Sequence, residues 1–111
     1  MSVVPERGDL IYLNFNPQAG HEQAGHRPAI VLSPKRFNEV TGFASVCPIT
    51  NVAKGWGYEV PLPNESVFTG VILTDQVKNL DWRARNISIR GKAGEKTVQD
   101  CLERIATYLG E

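Results

Sequence analysis

The sequence predicts a single, mainly β domain, a small barrel of six short strands with one helix at its C-terminal end. Short apolar or alternating segments recur at fairly regular spacing from residue 8 to residue 91, and turn residues separate them. The hydrophobic pattern acquires a helical period only after Glu95. The 111-residue chain has the common size of one domain, without a repeat, linker or low-complexity segment, so we expect one domain over residues 1–111.

The first three predicted strands hold the most apolar sequence. GDLIYLNF alternates with the period of a strand and stops at the turn sequence NPQAG. PAIVLS lies between Pro28 and Pro34, and it is too short for a helix and rich in branched residues. FASVCPIT follows the turn signal Thr41-Gly42. We expect all three to form strands, with PAIVLS as a central strand.

Three shorter segments and a helix complete the predicted fold. GYEVPL alternates, and Pro61 predicts an edge strand because proline cannot donate a hydrogen bond to a neighbour. GVILTDQV follows Gly70, and NISIRG adds a last alternating segment. The helix begins near Glu95 and ends at Gly110. Its apolar face contains Val98, Cys101, Leu102, Ile105 and Leu109.

Charge and cysteine content exclude several classes of protein. The formal net charge of zero argues against a broad basic face that coats duplex nucleic acid. KNLDWRARNISIRGK is locally basic, which fits either a few phosphate contacts or a solvated, partly self-neutralised surface. Cys47 and Cys101 lie far apart in apolar sequence, without a CxxC pair or a histidine at metal spacing, so we expect buried thiols and no metal site.

Neither a signal peptide nor an apolar run of membrane-spanning length is present in the sequence. We therefore expect a soluble, cytoplasmic protein with no membrane partner.

Titratable side chains cluster in the stretch GHEQAGHRPAIVLSP, directly before the predicted central strand. His21, Glu22, Gln23, His26 and Arg27 lie within this short segment. The proline after Arg27 keeps the arginine backbone extended at the strand entrance. A carboxylate, imidazoles and a guanidinium near one point suit phosphoester cleavage, with a base for an attacking hydroxyl and a cation for the phosphorane. The same set also suits plain anion binding.

Several other side chains are candidates with equally ordinary structural explanations. Thr50 ends the third predicted strand, where its hydroxyl either donates to a phosphate or stabilises a turn. Asp75 and Gln76 follow the fifth strand, where they either contact base edges or cap a turn. Trp56 and Trp82 either stack on unpaired bases or belong to the core or an interface.

Three segments resemble the MazF/PemK family of toxin ribonucleases from toxin-antitoxin modules: RGDLIYLNFNPQAGHEQAGHRPAIVLSP, PIT and GVILTDQVKNLDWRAR. The resemblance extends from about Arg7 to Arg85. It implies a dimeric, SH3-like barrel that cuts single-stranded RNA, often mRNA, at short sequences without a metal or other cofactor. It also implies attack by the ribose 2′-hydroxyl, products with 2′,3′-cyclic phosphate and 5′-hydroxyl ends, and inhibition by a MazE-like antitoxin.

The resemblance also carries site residues onto this sequence. It implies catalytic roles for Arg27, Thr50 and Glu22, with Arg27 stabilising the phosphorane and Glu22 acting as the base. In the PemK-like branch an acid and a basic residue after the fifth strand are implicated instead, and the nearest matches here are Asp81 and Lys78. The residues that transfer protons therefore stay open. The expected RNA contacts are His21, Gln23, His26, Lys54, Gln76, Lys78 and Asp81.

Two other functions compete with the ribonuclease interpretation. A gyrase poison of the CcdB type shares the barrel and the dimer plan but has no GHRPAIVLS loop. A non-enzymatic RNA-binding or protein-binding SH3-like module is the other alternative.

Asn51 stands where some relatives carry a second threonine, within the loop NVAKGWG that we expect to cover the RNA. The recognition sequence therefore does not transfer from the family.

Overall fold

The computed structural model describes residues 3–16 and 25–110. Seven strands, two helices and one 3₁₀ turn at Thr74–Gln76 follow one another in these residues. The helices are α1 (Lys35–Thr41) and α2 (Glu95–Leu109). The strands are β1 (Asp9–Asn14), β2 (His26–Val31), β3 (Phe43–Thr50), β4 (Glu59–Pro61), β5 (Val71–Leu73), β6 (Lys78–Asp81) and β7 (Ser88–Lys92).

All strand pairs are antiparallel, and the strand order is β4-β5-β3-β2-β1-β7, with β6 paired to the first half of β3. Within the described residues the two outer strands, β4 and β7, do not pair, so the sheet curls into a barrel-like shape without closing. Pro61 lies in an edge strand, as predicted. The predicted mainly β fold with a C-terminal helix is confirmed.

Two apolar cores lie on opposite faces of the central strands. The first is covered by α2 and contains Leu10, Ile30, Leu32, Cys47, Ile49, Val60, Phe68, Ile72, Val98 and Cys101. The second is capped by Trp82 and contains Ile11, Leu13, Phe15, Ala29, Val31, Ala44 and Val46. Consecutive residues of β1 and β2 thus contribute to different cores, which is why the run PAIVL, residues 28–32, is apolar throughout.

Helix α1 is absent from the sequence prediction. Asn38 is fully buried in it, and its amide donates to the carbonyl oxygens of Pro5 and Ser33 at 2.8 and 3.1 Å. The indole N–H of Trp82 donates to the Asn38 carbonyl at 2.8 Å. This helix therefore ties the N-terminal segment to the tryptophan that caps the second core.

The segment around the fifth strand also differs from the prediction. GVILTDQV was expected to form one strand, but β5 ends at Leu73 and Thr74–Gln76 form a 3₁₀ turn. KNLD, which we assigned only to a basic segment, forms β6. The chain thus turns sharply after Leu73 and returns along β3. No helix in the described part of the chain is long and apolar enough to cross a membrane.

Both cysteines are free and fully buried, as the sequence predicts. Burial raises the pKa of Cys47 well above its ordinary value, and it raises the pKa of Cys101 from 9.0 to about 12. The thiolate is the reactive form. We therefore expect iodoacetamide at about pH 8 to modify neither thiol in the folded protein and both in urea, with the adducts counted by mass spectrometry.

The same pKa shifts predict a pH dependence of stability. Since the thiols ionise more readily in the unfolded chain, the free energy of unfolding should fall as the pH rises from 9.0 towards about 12.

In the iodoacetamide experiment, rapid alkylation of the folded protein at about pH 8 would contradict the buried positions of both thiols.

Candidate functional site

Arg27 lies at the entrance of β2, and Thr50 ends the neighbouring antiparallel strand β3. The ladder between β2 and β3 ends at the pair of Ala29 and Pro48, and Arg27 and Thr50 each lie two residues beyond it, where Thr50 pairs with Val71 of β5. Because side chains alternate with a period of two, Arg27 keeps the face of Ala29 and Thr50 keeps the face of Pro48. Residues directly opposite each other point to the same face of an antiparallel pair. Arg27 is half-buried and Thr50 is buried, so both are held by the fold at the margin of the second core.

His26 and Arg27 are adjacent in the chain, but their side chains leave opposite faces of β2. Arg27 pairs with Leu13, which belongs to the second core. His26 instead stacks on Tyr12, which packs against the first core. The expected gathering of both side chains at one point therefore does not occur, and the entrance of β2 presents one cationic side chain and one imidazole on separate faces.

Backbone contacts hold the two ends of the loop between β1 and β2. The Phe15 N–H donates to the Gly25 carbonyl at 2.9 Å, and the Gly25 N–H donates to Asn16 Oδ1 at 3.0 Å. The Arg85 guanidinium donates to the carbonyl oxygens of Asn14 and Asn16 at 3.1 and 2.6 Å. Both ends of this loop are thus fixed by hydrogen bonds, next to the β1–β2 strand pair that contains Arg27. The loop candidates His21, Glu22 and Gln23 lie outside the described residues.

Thr50 stabilises the turn that follows β3. Its Oγ1 accepts the N–H of Val52 at 3.1 Å, which is the turn role that the sequence left as an alternative. That contact uses one lone pair and leaves the hydroxyl proton for another acceptor. Gly70 packs against this turn, since a Cβ built on it would lie 2.2 Å from the Thr50 carbonyl oxygen. The position of Thr50 therefore depends on the absence of a side chain at residue 70.

A buried carboxylate shapes the loop from Asn51 to Gly57. Glu59, at the start of β4, accepts the backbone N–H groups of Lys54 and Gly55, both at 2.8 Å. Trp56 is 48% exposed, and the Lys54 ammonium lies 5.3 Å from its ring centroid. The loop is thus held at its base while it presents an ammonium group and an indole to solvent.

The candidates after the fifth strand occupy separate places. Lys78 pairs with Val46 in the middle of β3, and Asp81 pairs with Phe43 at the end of β3 opposite to Thr50. The Asp81 carboxylate accepts the N–H groups of Arg83 and Ala84 at 3.0 and 3.2 Å, so it stabilises the turn after β6. Gln76 is half-buried at the end of the 3₁₀ turn.

Most of the predicted basic segment takes part in structural contacts. Arg83 donates to the Glu39 carbonyl at 3.1 Å and lies over the Trp82 ring. Arg85 donates to backbone carbonyl oxygens at the start of the loop between β1 and β2, as described above. Lys92 forms ion pairs with Glu6 and Asp9 at 3.5 and 3.4 Å. The self-neutralised interpretation of this segment therefore holds for Lys92, whereas Arg83 and Arg85 contact backbone carbonyl oxygens. Across residues 3–16 and 25–110, no group of three metal-ligating side chains comes together.

Comparison with known proteins decides the family. A family model described as "PemK-like, MazF-like toxin of type II toxin-antitoxin system" matches residues 6–109. The chain belongs to this family. Among its PemK-like and MazF-like relatives, the endoribonuclease toxin MazF of Escherichia coli K12 is 43% identical over 107 residues, which is 96% of each chain. The endoribonuclease toxin ChpB of the same strain is 42% identical over 90% of each chain.

Solved structures of MazF proteins have the same fold. The crystal structure of MazF from Deinococcus radiodurans superposes with a TM-score of 0.95 at 44% identity, and the match covers 99% of this chain and 100% of that chain. MazF in a MazE-MazF complex of the same organism superposes with a TM-score of 0.87, also at 44% identity, over 98% of both chains. The family resemblance that the sequence indicated is therefore confirmed.

Glu59, Gly70 and Arg85 support the site, although the sequence did not single them out for this. Glu59 occupies an alternating position in GYEVPL, and the sequence gives no sign that a buried carboxylate there binds backbone N–H groups from the preceding loop. Gly70 was visible only as a turn residue before a strand. Arg85 belonged to a basic segment, and its contacts with distant carbonyl oxygens depend on the tertiary fold.

The close approach of Gly70 to Thr50 generates a test. Gly70 has φ of +106°, and its missing side chain leaves room for the Thr50 carbonyl, so Gly70→Ala should strain the backbone and displace this turn. We expect a loss of about 2–4 kcal/mol in the free energy of unfolding. Urea denaturation followed by circular dichroism measures it.

Gly57→Ala is the matched control, because a Cβ at residue 57 meets no atom within 4 Å. It should change stability by less than about 1 kcal/mol. Equal stabilities of the two variants would contradict the tight packing around Thr50.

Proposed function

We propose that this protein is an endoribonuclease toxin that cuts single-stranded RNA at short sequences, without a metal ion, and that a cognate antitoxin inhibits it. The observation that carries the proposal is strand alternation, which puts Arg27 at the entrance of β2 and Thr50 at the end of the neighbouring strand β3 on the same face. The family assignment and the endoribonuclease names of its relatives support the reaction class. The ribose 2′-hydroxyl is the nucleophile, so DNA is not a substrate.

Arg27 acts on the scissile phosphate. Its guanidinium provides several N–H donors in a planar fork that matches phosphate oxygens, and a half-buried position strengthens their electrostatic effect. These donors stabilise the charge of the phosphorane that forms when the 2′-hydroxyl attacks. Since a guanidinium stays protonated, its main contribution is electrostatic rather than proton transfer.

The other two catalytic roles fall to Thr50 and Glu22. The Thr50 hydroxyl donates a hydrogen bond to a second phosphate oxygen. Its O–H is available for this, because the contact with the Val52 N–H uses only a lone pair of the oxygen. Glu22 takes the proton of the 2′-hydroxyl. Asp81 is the weaker candidate for this base, since its carboxylate already accepts two backbone N–H groups at the opposite end of β3. The 2′-oxygen forms a bond to phosphorus, the bond from phosphorus to the 5′-oxygen breaks, and the leaving 5′-oxygen takes a proton from solvent water. The products are a 2′,3′-cyclic phosphate and a 5′-hydroxyl.

Neighbouring side chains supply RNA contacts and partner surfaces. Lys54 and Trp56 at the exposed loop offer a cation and a stacking surface to the substrate. The MazE-MazF complexes of a relative at 44% identity support a MazE-like antitoxin as the protein partner. Since such a toxin acts on cellular RNA, we expect the protein to act in the cytoplasm.

Cleavage mapping with Arg27 variants tests the catalytic assignment. Purified protein is incubated with a long, weakly structured RNA in EDTA, and the cut positions and end groups are determined. The wild type should give discrete cuts that end in 2′,3′-cyclic phosphate. Arg27→Ala should reduce the rate by about 10²–10³-fold or more, because it removes the phosphorane donors. Arg27→Lys should retain part of the rate through its charge.

Arg36→Ala serves as the control, since Arg36 is an exposed residue of α1. It should cut at the wild-type rate. Cleavage by Arg27→Ala at that same rate would refute the proposed site. Intact RNA in the wild-type reaction would refute the nuclease itself, and inhibition of DNA gyrase would then favour the gyrase-poison alternative over a non-catalytic binding module.

A homodimer is part of the proposal. Several apolar side chains remain exposed in the isolated chain, and a second copy is a partner that would cover such surface. These side chains include Val3, Val40, Val52 and Leu109, which are 67–77% exposed. Sedimentation equilibrium at micromolar concentration should therefore give twice the mass of 12.3 kDa. A monomer mass under these conditions would contradict the dimer.

A further inference from the structure

Four side chains form a layered cluster on the face of the sheet opposite to Arg27. The imidazole of His26 lies parallel to the Tyr12 ring, with 5.6 Å between centroids and an interplanar angle of 7°. The edge of Phe68 supports the Tyr12 ring at 5.1 Å. The Arg90 guanidinium lies 4.9 Å from the Tyr12 centroid, and its Nε donates to Ser88 Oγ at 2.9 Å. We refer to Tyr12, His26 and Arg90 as the aromatic platform.

The platform is supported from below and exposed above. Phe68 is 8% exposed and belongs to the first core, and Tyr12 is half-buried against it. His26 and Arg90 are exposed. Because Tyr12 covers one face of the imidazole, the exposed area of His26 includes its edges and the opposite face. A flat, oriented ring with a cationic neighbour is a surface on which an unpaired base can stack.

The strand register places the platform next to the proposed cleavage site. His26 and Arg27 are consecutive at the entrance of β2, so their Cα atoms lie about 3.8 Å apart while their side chains leave opposite faces. A nucleic-acid strand that crosses the end of β2 meets Arg27 on one side and His26 on the other.

The contacts within the platform do not arise from core packing alone. Tyr12 and Phe68 account for burial of the first core, whereas the exposed His26 and Arg90 bury little apolar surface. Their shared feature is contact with the same Tyr12 ring from neighbouring strands, since β1 pairs with both β2 and β7. The Ser88 contact further orients Arg90 along β7.

We propose that the aromatic platform is a nucleobase-binding subsite that holds an unpaired base of the RNA adjacent to the scissile phosphate. The base stacks on His26, and Arg90 contacts the phosphate of that same nucleotide. This inference rests on the proposed ribonuclease function and adds a binding position to it. The subsite contributes to substrate affinity and to the choice of cleavage position, while Arg27 and Thr50 act on the reacting phosphate.

Variants of His26 test the subsite without disturbing the core, because this side chain is exposed. His26→Ala should raise the KM for RNA by about tenfold or more, the scale of one base stacking contact, and leave kcat within about threefold. His26→Phe retains a flat ring and should restore most of the affinity. Arg36→Ala is the control for a surface substitution and should match the wild type in both constants.

A series of RNAs with single abasic nucleotides identifies the stacked base. The RNAs carry 2′-deoxyribose at the mapped cleavage position so that they bind without being cut, and fluorescence anisotropy measures their affinity. For the wild type, one abasic position next to the scissile phosphate should weaken binding by about tenfold. For His26→Ala, the same abasic change should have no further effect, since the stacking contact is already lost.

The outcomes separate this subsite from the proposed function. If the wild type cuts RNA and His26→Ala keeps the wild-type KM, or if His26→Phe is as weak as His26→Ala, the subsite is refuted and the nuclease stands. If the wild type binds RNA but does not cut it, the nuclease is refuted, and the affinity of His26→Ala for the same RNA tests the platform: binding about tenfold weaker supports it, and unchanged binding refutes it as well. If the wild type neither binds nor cuts RNA, both are refuted.

Discussion

The register of the antiparallel ladder formed by β1, β2 and β3 is the constraint on which the rest of the molecule depends. Side chains alternate between the two faces, so a shift of one residue would exchange the two apolar cores and reverse every polar side chain at the open end. In the observed register Leu13, Arg27 and Thr50 share one face, and Tyr12 and His26 share the other. The burial of both faces fixes this register strongly.

The structure around this ladder holds its open end in place mainly through contacts with backbone groups. Arg85 binds carbonyl oxygens at the base of the loop before β2, and Glu59 binds N–H groups of the loop after β3. Gly70 has no side chain and therefore leaves room for the turn that follows Thr50. Such contacts use charged side chains to position loops without placing further charges in the site.

The sequence predicted the parts of the fold in which local pattern and tertiary role coincide. The central strands, the edge position of Pro61, the buried cysteines and the C-terminal helix follow from hydrophobic period and residue chemistry. Helix α1 was missed because its seven residues are too few to show a helical period, and no side chain caps its N-terminus. The placement of Arg27 and Thr50 on one face, and the separation of His26 from Arg27, depend on strand register and alternation, which adjacency in sequence cannot reveal.

A double-mutant cycle between Arg27 and Thr50 tests the central claim most directly, namely that register brings these two side chains to one phosphate. Single-turnover cleavage rates are measured for wild type, Arg27→Ala, Thr50→Val and the double variant on one mapped RNA. Because groups that act on the same phosphate lose their effects together, the double variant should be within about threefold of the slower single variant. A loss equal to the product of the two single losses would show that the side chains act independently and would contradict the account.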